Sequence, residues 1–409
     1  MTALRVEGLF KVFGRHPAQA VDRLRAGAGA DEIRASGATP AVIDVDLAVE
    51  PGEIFVVMGL SGSGKSTLLR MLNGLLEPTA GTVHVGEDEI TALSGKPLRE
   101  VRQRRISMVF QHFALLPHRS VLDNAAYALE VRGVDRRTRQ AAAREALTMV
   151  GLGGQAAKRP DELSGGMQQR VGLARALASE ADVLLMDEAF SALDPLIRRE
   201  MQDQLLELQA RLGKTIVFIT HDLNEAMRLG DRIAIMRDGR VVRLGTPESI
   251  LNDPGDEYVE RFLADVDRSR VFTAADVMVP AVTVPVDVAP RAALDALRGR
   301  GGSALAVVDG DGCLVGVVTA SDLLAFSGVV AAAVRPPAAR VAATASLAEL
   351  LGPAGASDAP VVVVDDAGRP SGVVDSRAVL AALAGAESDG RPPAGSVGDH
   401  AELLEGSRG

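Results

Sequence analysis

The amino-acid sequence predicts an α/β fold: a core built on a largely parallel sheet, followed by a smaller α/β pair of repeated modules. The first observation is that short apolar runs alternate with segments of helical period up to about residue 265, an order typical of parallel sheets with crossover helices. The second is an internal repeat beyond that point, which indicates two similar modules packed as a pair. We therefore expect domains at residues 1–265 and 266–386.

The strands of the first domain are predicted from apolar runs bounded by polar or turn-forming residues. These runs read IFVVM, VLLM, TIVFIT and RIAIM, and they occupy residues 54–58, 183–186, 215–220 and 232–236. Their β-branched and aliphatic content predicts strands that are buried in the sheet.

Helices are predicted between these strands. Residues 136–150 and 197–212 have a helical period, and the same period after residue 65 places four leucines on one face: Leu68, Leu72, Leu75 and Leu76. Residues 14–40 differ from their surroundings, and we expect them to form two short helices inserted between early strands.

Composition limits the class of protein. The chain has 409 residues, 47% of them apolar, and a formal net charge of −10, which gives no support to nucleic-acid binding. Its one cysteine, Cys313, allows no internal disulfide and favours a reducing cytosol. The N-terminal residues lack the pattern of a secretory signal, and no apolar run reaches the ~18 residues of a membrane helix. The basic cluster at 99–105 is interpreted as a solvated helix face.

A glycine-rich stretch, GLSGSGKST, directly follows the first predicted strand and occupies residues 59–67. It fits the spacing G-x-x-x-x-G-K-[ST], in which backbone N–H groups and a helix N-terminus cradle phosphates. Lys65 can reach the terminal phosphates and the Ser66 hydroxyl can bind Mg²⁺, so ATP and Mg²⁺ are the expected cofactors. The residues predicted to contact ATP here are Gly59, Ser61, Gly62, Ser63, Gly64, Lys65, Ser66 and Thr67.

Two carboxylates end the predicted strand at 183–186, in the sequence VLLMDE. Asp187 is expected to hold Mg²⁺ directly or through water, and Glu188 to orient and deprotonate the attacking water. Alone, such a pair would be ordinary acidic residues at the end of a strand. The phosphate-binding sequence upstream is what favours the catalytic interpretation.

A second anion-binding helix start is predicted at LSGGM, which comprises Leu163, Ser164, Gly165, Gly166 and Met167. A hydroxyl and exposed backbone donors precede a helix there. An ordinary N-cap is the alternative. Two phosphate cradles in one domain make sense if one of them serves the nucleotide of a neighbouring chain.

With these motifs in this order, residues 1–265 resemble the ATP-binding subunits of ABC transporters, which are P-loop NTPases with a helical signature subdomain. The resemblance implies that LSGGM contacts the ATP of a partner chain in a head-to-tail homodimer. It also implies a glutamine that joins Ser66 and Asp187 at the metal, a D-loop aspartate, a switch histidine and an adenine-stacking aromatic. These positions match Gln111, Asp194, His221 and Phe13, with Phe10 a weaker substitute for the aromatic.

Three features resemble one branch of that family, the importers of glycine betaine, proline, choline and similar compatible solutes. They are the insert at 14–40, the sequence MVFQHFALLPHRSVLDNAAYALE from Met108, and the C-terminal pair. The resemblance implies a separate membrane permease, a substrate-binding protein that acts through it, and a peripheral position at the cytoplasmic face of the inner membrane.

The C-terminal repeat relates residues 307–324 to residues 363–380 at an offset of 56. It resembles tandem CBS modules, at about 271–330 and 331–386. Thr319 and Asp322 match the ribose-contacting positions of that family, whereas the second module has Asp375 and Ala378 there. One adenine mono- or dinucleotide site is therefore implied at most, and a dimerisation or spacer role is the alternative. The Gly-, Pro- and Ser-rich tail from residue 387 is expected to be disordered.

Two other functions remain open at this point. An ABC ATPase whose CBS pair is mainly an adenine-nucleotide sensor has the same motifs. A soluble ABC ATPase without a transport role is the second, although the chain lacks the paired cassettes, long coiled coils or cysteine-rich elements usual in that class.

Overall fold

A computed structural model describes residues 2–264, 266–300, 304–325 and 329–384. Two compact units are present, Met1–Val266 and Asp267–Gly409. The predicted tail at 387–409 and the last residues of the second repeat lie outside the described residues. No helix within the described ranges is long and apolar enough to cross a membrane.

The elements of the first unit are, in chain order, β1 (Leu4–Gly14), α1 (Pro17–Arg25), α2 (Ala30–Ala35), β2 (Ala38–Val49), β3 (Ile54–Met58), α3 (Lys65–Leu72), β4 (Ala80–Val85), β5 (Asp88–Glu89), α4 (Gly95–Arg105), β6 (Ile106–Val109), α5 (Val121–Ala125), α6 (Tyr127–Val131), α7 (Arg136–Met149), α8 (Gly165–Ala178), β7 (Val183–Asp187), α9 (Pro195–Leu212), β8 (Thr215–Thr220), α10 (Leu223–Leu229), β9 (Arg232–Arg237), β10 (Arg240–Gly245), α11 (Pro247–Asn252) and α12 (Glu257–Leu263).

Two sheets form this unit. A six-stranded sheet has the order β10-β9-β3-β8-β7-β6, and only the edge pair β9–β10 is antiparallel. A four-stranded antiparallel sheet has the order β2-β1-β4-β5. All four predicted strands lie in the first sheet, and the largely parallel core is confirmed. Because parallel strands end at the same edge, the segments after β3, β7 and β8 can meet there.

The core of this unit is centred on α3. Leu68 and Leu72 of this helix are fully buried together with Leu47 of β2 and Phe55 of β3, so one apolar cluster spans both sheets. The helix ends at Leu72 because Gly74 takes a positive φ of 63° and the Asn73 side chain accepts a hydrogen bond from the Leu75 backbone N–H. The prediction that Leu75 and Leu76 share the helical face of Leu68 and Leu72 is wrong, since both lie beyond the end of the helix, and Leu75 is 54% exposed.

The segment at 14–40 forms two short helices, α1 and α2, as expected. They enclose a separate apolar cluster in which Val21, Leu24 and Ile33 cover Phe10 and Ile43 of the adjacent strands. Elsewhere in the unit, the basic cluster at 99–105 lies on α4, which buries none of its residues, in agreement with a solvated helix face.

The elements of the second unit are α13 (Arg268–Val271), α14 (Ala274–Val277), β11 (Val279–Pro280), β12 (Thr283–Pro285), α15 (Pro290–Arg300), β13 (Ala304–Val308), β14 (Leu314–Thr319), α16 (Ala320–Ala325), β15 (Arg340–Val341), α17 (Leu347–Ala356), β16 (Val361–Val364), β17 (Pro370–Val374) and α18 (Ser376–Ala384). Its sheets have the orders β12-β13-β14 and β11-β17-β16-β15.

The repeat recurs in three dimensions. Ala306 pairs with Val317 in the first hairpin, and Val362 pairs with Val373 in the second, which are positions exactly one repeat apart in register. Both turns are closed by an aspartate, since Oδ1 of Asp309 accepts from two backbone N–H groups of its turn and Asp365 does the same. The two hairpins also share an apolar cluster.

Candidate active site

The glycine-rich loop lies between β3 and α3, and close backbone contacts explain two of its glycines. A Cβ at Gly59 would overlap the carbonyl oxygen of Met236, and one at Gly64 would overlap that of Ala41. Gly64 also has a φ of 102°, a conformation that glycine adopts without the steric penalty of a side chain. The loop is therefore wedged between β2 and the β9–β10 hairpin and emerges at the N-terminus of α3.

Lys65 is folded back onto this loop. Its ammonium donates hydrogen bonds to the carbonyl oxygens of Gly59 at 2.7 Å and Leu60 at 3.0 Å, and the residue is 5% exposed. Burial lowers the pKa of Lys65, while the carboxylates of Glu188 and Asp187 act in the opposite direction. A cation is thus held at the loop, facing the two acids.

The loop fits a phosphate. Space is open beside Gly62, which has a φ of 83° and no atom within 4 Å of a built Cβ. The Ser63 hydroxyl is buried and has no hydrogen-bond partner among the described residues. The first backbone N–H groups of α3 have no acceptor within their own helix, and the helix N-terminus favours an anion.

Residues outside the motif brace the loop. The backbone N–H of Gly239 donates to the Ser63 carbonyl at 3.1 Å, and the N–H of Ile43 donates to the Gly239 carbonyl at 2.8 Å. On α12, Tyr258 lies beside the loop, where burial raises the pKa of its phenol overall although the backbone of Leu60 acts to lower it, and Arg237 lies 4.5 Å from the centre of its ring. Sequence reasoning missed these contacts, because no motif or spacing links the hairpin or α12 to the loop.

The predicted acids lie at the end of β7, at the same edge of the sheet: Asp187 is its last residue and Glu188 follows directly. Burial and then the charge of Glu188 raise the pKa of Asp187, and Arg70 and Lys65 oppose the shift. Glu188 adopts a positive φ of 44°, a strained conformation for this residue type. Its backbone N–H donates to the Ile219 carbonyl of β8 at 3.0 Å, which fixes the strained residue to the neighbouring strand.

The side chains of Gln111 and His221 converge on Glu188. His221 Nδ1 lies 3.1 Å from Glu188 Oε2, and the Gln111 amide donates to the same oxygen at 3.5 Å. The Gln111 amide also donates to the Ser191 hydroxyl at 3.1 Å, which in turn donates to the Glu188 carbonyl at 2.9 Å. Residues separated by up to 110 positions thus form one polar cluster. Ser191 was missed as a member, although it begins the D-loop segment SALD at 191–194, whose aspartate, Asp194, was predicted.

The turn after Gln111 is strained and is held from α8. Phe113 and Ala114 both have positive φ, 55° and 46°. The Arg175 guanidinium donates to their two carbonyl oxygens, at 3.1 Å and 2.6 Å. Arg175 was also missed, since an arginine within an apolar helix gives no signal of the loop it contacts.

The LSGGM segment begins α8 as predicted. Ser164 is the N-cap, and its hydroxyl accepts from the Met167 backbone N–H at 3.4 Å. Gly166 is needed for close packing, because a Cβ there would lie 2.5 Å from a methyl group of Ile197. Among the described residues, no hydrogen bond joins 163–167 to the glycine-rich loop of the same chain. Asp194 lies nearby as the N-cap of α9.

The two candidate adenine-stacking residues differ in access. Phe13 is 42% exposed, whereas Phe10 is 1% exposed and enclosed by the cluster of the insert. The ammonium of Lys11 lies 5.2 Å from the centre of the Phe13 ring. Only Phe13 of the two has a face open to a ligand.

The CBS candidates Thr319 and Asp322 contact each other. The Thr319 hydroxyl and backbone N–H both donate to Oδ2 of Asp322, at 2.7 Å and 2.9 Å, and Arg335 donates to the same oxygen at 3.0 Å. Burial acts to raise the pKa of Asp322, but these hydrogen bonds and the Arg335 charge outweigh it and hold the pKa below its ordinary value. In the second repeat, Asp375 accepts from the Ala378 backbone N–H instead.

The fold and the clustered motifs define an ATP-binding cassette ATPase. The family model described as ABC transporter matches residues 42–191, and the model described as CBS domain matches residues 274–328. Among solved structures, the dimeric post-hydrolysis state of the ATP-binding cassette MJ0796 bound to ADP and Pi is 32% identical. It covers 60% of this chain and 98% of its own, with a TM-score of 0.50.

Similarity to whole transport subunits is more extensive. The chain is 51% identical to the glycine betaine transport ATP-binding protein OpuAA of Bacillus subtilis, over 93% of this chain and 92% of that protein. It is 47% identical to the glycine betaine/carnitine transport ATP-binding protein GbuA of Listeria monocytogenes, over 95% and 99%. It is 48% identical to the glycine betaine/proline betaine transport ATP-binding protein ProV of Salmonella typhimurium, over 93% and 97%. The chain belongs to this family of ABC transporter ATP-binding subunits, and it is an ATP-hydrolysing enzyme.

Proposed function

We propose that this chain hydrolyses Mg²⁺-ATP to drive the import of glycine betaine or a closely related quaternary amine through a separate permease. The observation that carries the proposal is that similarity to three betaine transport subunits extends over at least 92% of both chains, second unit included. A similarity restricted to the cassette would support ATP hydrolysis without indicating the solute.

The proposed chemistry uses the residues around the loop. The open loop and the start of α3 bind the phosphates, and Lys65 exchanges its two loop carbonyl contacts for the terminal phosphate oxygens. Glu188 accepts a proton from the attacking water, with His221 and Gln111 holding its carboxylate. Its fixed, strained backbone keeps the carboxylate in place, which saves reorganisation during the reaction.

The metal requirement is met by few protein ligands. Within the described ranges, no group of three histidine, cysteine or acidic residues could hold a metal alone. This suits Mg²⁺, which uses one or two protein ligands together with substrate phosphates. Ser66, Asp187 and Gln111 are the proposed ligands, and the ion would neutralise charge on the phosphates.

We infer that two chains pair head to tail, so that LSGGM of one chain completes the ATP site of the other. The absence of any hydrogen bond between LSGGM and the loop of the same chain, over the part that the structure describes, supports a partner for each. The solved relative is itself dimeric. The proposed assembly adds permease subunits and, indirectly, a substrate-binding protein, with this chain attached at the cytoplasmic face of the inner membrane.

The test uses Glu188→Gln in the transporter reconstituted with its permease. We expect ATP binding to persist and hydrolysis to fall by about 10²–10⁴, the usual cost of losing a general base. Uptake of labelled glycine betaine should fall with it. Lys65→Ala should instead weaken ATP binding.

Two results would separate the parts of this proposal. Wild-type turnover by Glu188→Gln would remove Glu188 from the role of base. Hydrolysis that is stimulated by a different solute, with no response to quaternary amines, would leave the ATPase in place and reject the proposed cargo.

We also propose that the second unit regulates the cassette. The engagement of Asp322 by Thr319 and Arg335 supports a structural role for this pair in preference to ribose binding. Ionic strength is therefore the proposed input, and an adenine nucleotide is the rival.

A further inference from the structure

One arginine outside the sequence motifs connects two segments of the active site. Arg198 lies one turn into α9, and a terminal nitrogen of its guanidinium donates to the carbonyl oxygens of Ser191 at 3.2 Å and Leu193 at 3.1 Å. The other terminal nitrogen donates to Oδ2 of Asp222 at 3.3 Å. The same side chain therefore holds the D-loop backbone and the segment after β8.

Asp222 is the residue that follows His221. Its second oxygen, Oδ1, accepts from the backbone N–H groups of Asn224 at 3.0 Å and Glu225 at 3.2 Å, and so caps α10. One carboxylate thus fixes the start of α10 with one oxygen and is bound by Arg198 with the other. A displacement of the arginine would act directly on the backbone next to His221.

These contacts close a ring around Glu188. The D-loop residue Ser191 is bound by Gln111 and by the Glu188 carbonyl, and His221 lies against the Glu188 carboxylate. Arg198 is the link between the Ser191 side of this ring and the His221 side. Its side chain is 28% exposed and that of Asp222 is 34% exposed, so water screens this ion pair less than one at the open surface.

We propose that Arg198 is a positioning residue for ATP hydrolysis, which fixes the D-loop and His221 relative to each other. This inference rests on the proposed roles of Glu188 and His221. A guanidinium suits the task because its planar fork can bind backbone carbonyls and a carboxylate at once, whereas the single ammonium of lysine cannot span them in the same geometry.

The contacts of Arg198 are not needed to begin helix α9. The N-cap of α9 is Asp194, whose Oδ1 accepts from the Ile197 backbone N–H at 3.1 Å, and Pro195 occupies the first helical position. The start of α9 therefore forms without Arg198, and removal of Arg198 should change catalysis more than stability.

The experiment compares Arg198→Ala with Arg199→Ala in the full-length chain. Arg199 is the adjacent, exposed arginine of the same helix, so it controls for charge and helix propensity. We expect Arg198→Ala to lower kcat about tenfold or more, as for a lost hydrogen-bonded charge, with KM for Mg²⁺-ATP changed less than about twofold. Arg199→Ala should change neither, and Arg198→Lys should restore only part of kcat.

A double-mutant cycle tests the link itself. Asp222→Asn keeps a side-chain oxygen to cap α10 but loses the charge that Arg198 binds. If the two act as one link, the double variant should be no slower than the worse single variant. If the fold-losses in kcat of the two single variants multiply in the double variant, the two residues act independently and the proposed link is wrong.

Hydrogen–deuterium exchange supplies a readout that does not need turnover. Arg198→Ala should speed exchange in peptides that contain residues 191–194 and in those that contain residues 221–225, with the melting temperature close to that of Arg199→Ala. Exchange and kcat equal to those of the Arg199→Ala control would reject the proposal. Failure of the proposed function is distinguishable, because Glu188→Gln would then hydrolyse ATP as fast as wild type in the same assay.

Discussion

At the scale of single residues, the site contains a group whose charged form destabilises the fold but is required by the chemistry. Asp187 is such a group: burial, then Glu188, raise the pKa of its carboxyl above the ordinary 3.8, against the effects of Arg70 and Lys65. A raised folded-state pKa means that the ionised carboxylate destabilises the folded chain at neutral pH, and that this cost fades as the pH falls toward 3.8.

Asp187→Asn should therefore stabilise the nucleotide-free chain and inactivate it. We expect a higher melting temperature than wild type at pH 7.5, by roughly 2–4 °C for each kcal/mol removed, and a difference that shrinks as the pH falls through the raised pKa toward 3.8. Hydrolysis should be lost because a metal ligand is gone. A melting temperature below wild type at pH 7.5 would mean that the carboxylate stabilises the fold and that this argument is wrong.

At the scale of elements, α12 contributes to the ATP site without belonging to any motif. Its Tyr258 has a phenol that interacts with the Leu60 backbone, stacks on Phe262 with ring centres 6.0 Å apart, and lies against Arg237. Burial raises the pKa of this tyrosine above its ordinary 10.0, so the phenol stays neutral near pH 7.

Tyr258→Phe should keep both ring contacts and remove the hydroxyl that interacts with the backbone of Leu60 in the loop. One neutral hydrogen bond contributes about 0.5–1.5 kcal/mol, so ATP should bind about 2- to 10-fold more weakly, as measured by titration calorimetry on the Glu188→Gln background. Tyr127→Phe is the matched control, because that ring also lies near an arginine, 5.1 Å from Arg119. Equal affinity in the two variants would show that α12 does not hold the loop.

At the scale of the whole molecule, the head-to-tail pairing predicts effects between chains. Ser164→Arg places a bulky cation where the LSGGM segment would meet the partner's phosphates. In mixed dimers with one altered chain, we expect the partner's ATP site to lose hydrolysis although its own Lys65 and Glu188 are intact. Additive activity of independent chains would contradict the pairing.

The second unit is tested by truncation after Val266, where the chain divides. In vesicles with the permease, the full-length chain should be activated as internal salt rises, because the Debye length falls from about 10 Å at 0.1 M to about 3 Å at 1 M. The truncated chain should be active throughout. An unchanged salt curve after truncation would exclude this unit as the salt sensor.

A separate variant tests the rival input. Asp322→Ala should leave the salt curve unchanged. Any effect of added AMP or ATP should persist in this variant. If an adenine-nucleotide effect is present in wild type and disappears in Asp322→Ala, the first CBS repeat binds the nucleotide and the structural interpretation of Asp322 is wrong.

The sequence was sufficient where chemistry requires a fixed order of residues. The loop at 59–67, the acids at the end of β7 and the N-cap of α8 each lie where motif and strand pattern predicted them, because phosphate binding restricts residue type and spacing together. Arg175, Arg198 and Tyr258 could not be predicted in this way. Arg175 and Arg198 act through backbone carbonyls, and a backbone partner leaves no residue type to recognise. Leu75 shows the complementary limit, since periodicity continues past the point where Asn73 and Gly74 end the helix.

The insert between β1 and β2 has an evolutionary consequence. Its helices keep Phe10 at 1% and Ile43 at 0% exposure, and burying such side chains contributes about 1.5–3 kcal/mol each. Deletion of the insert would remove Val21, Leu24 and Ile33 from the cluster around these two side chains and would expose part of their apolar surface. We therefore expect the insert and these two residues to change together, so that cassettes with a short turn in its place carry small or polar residues at both positions.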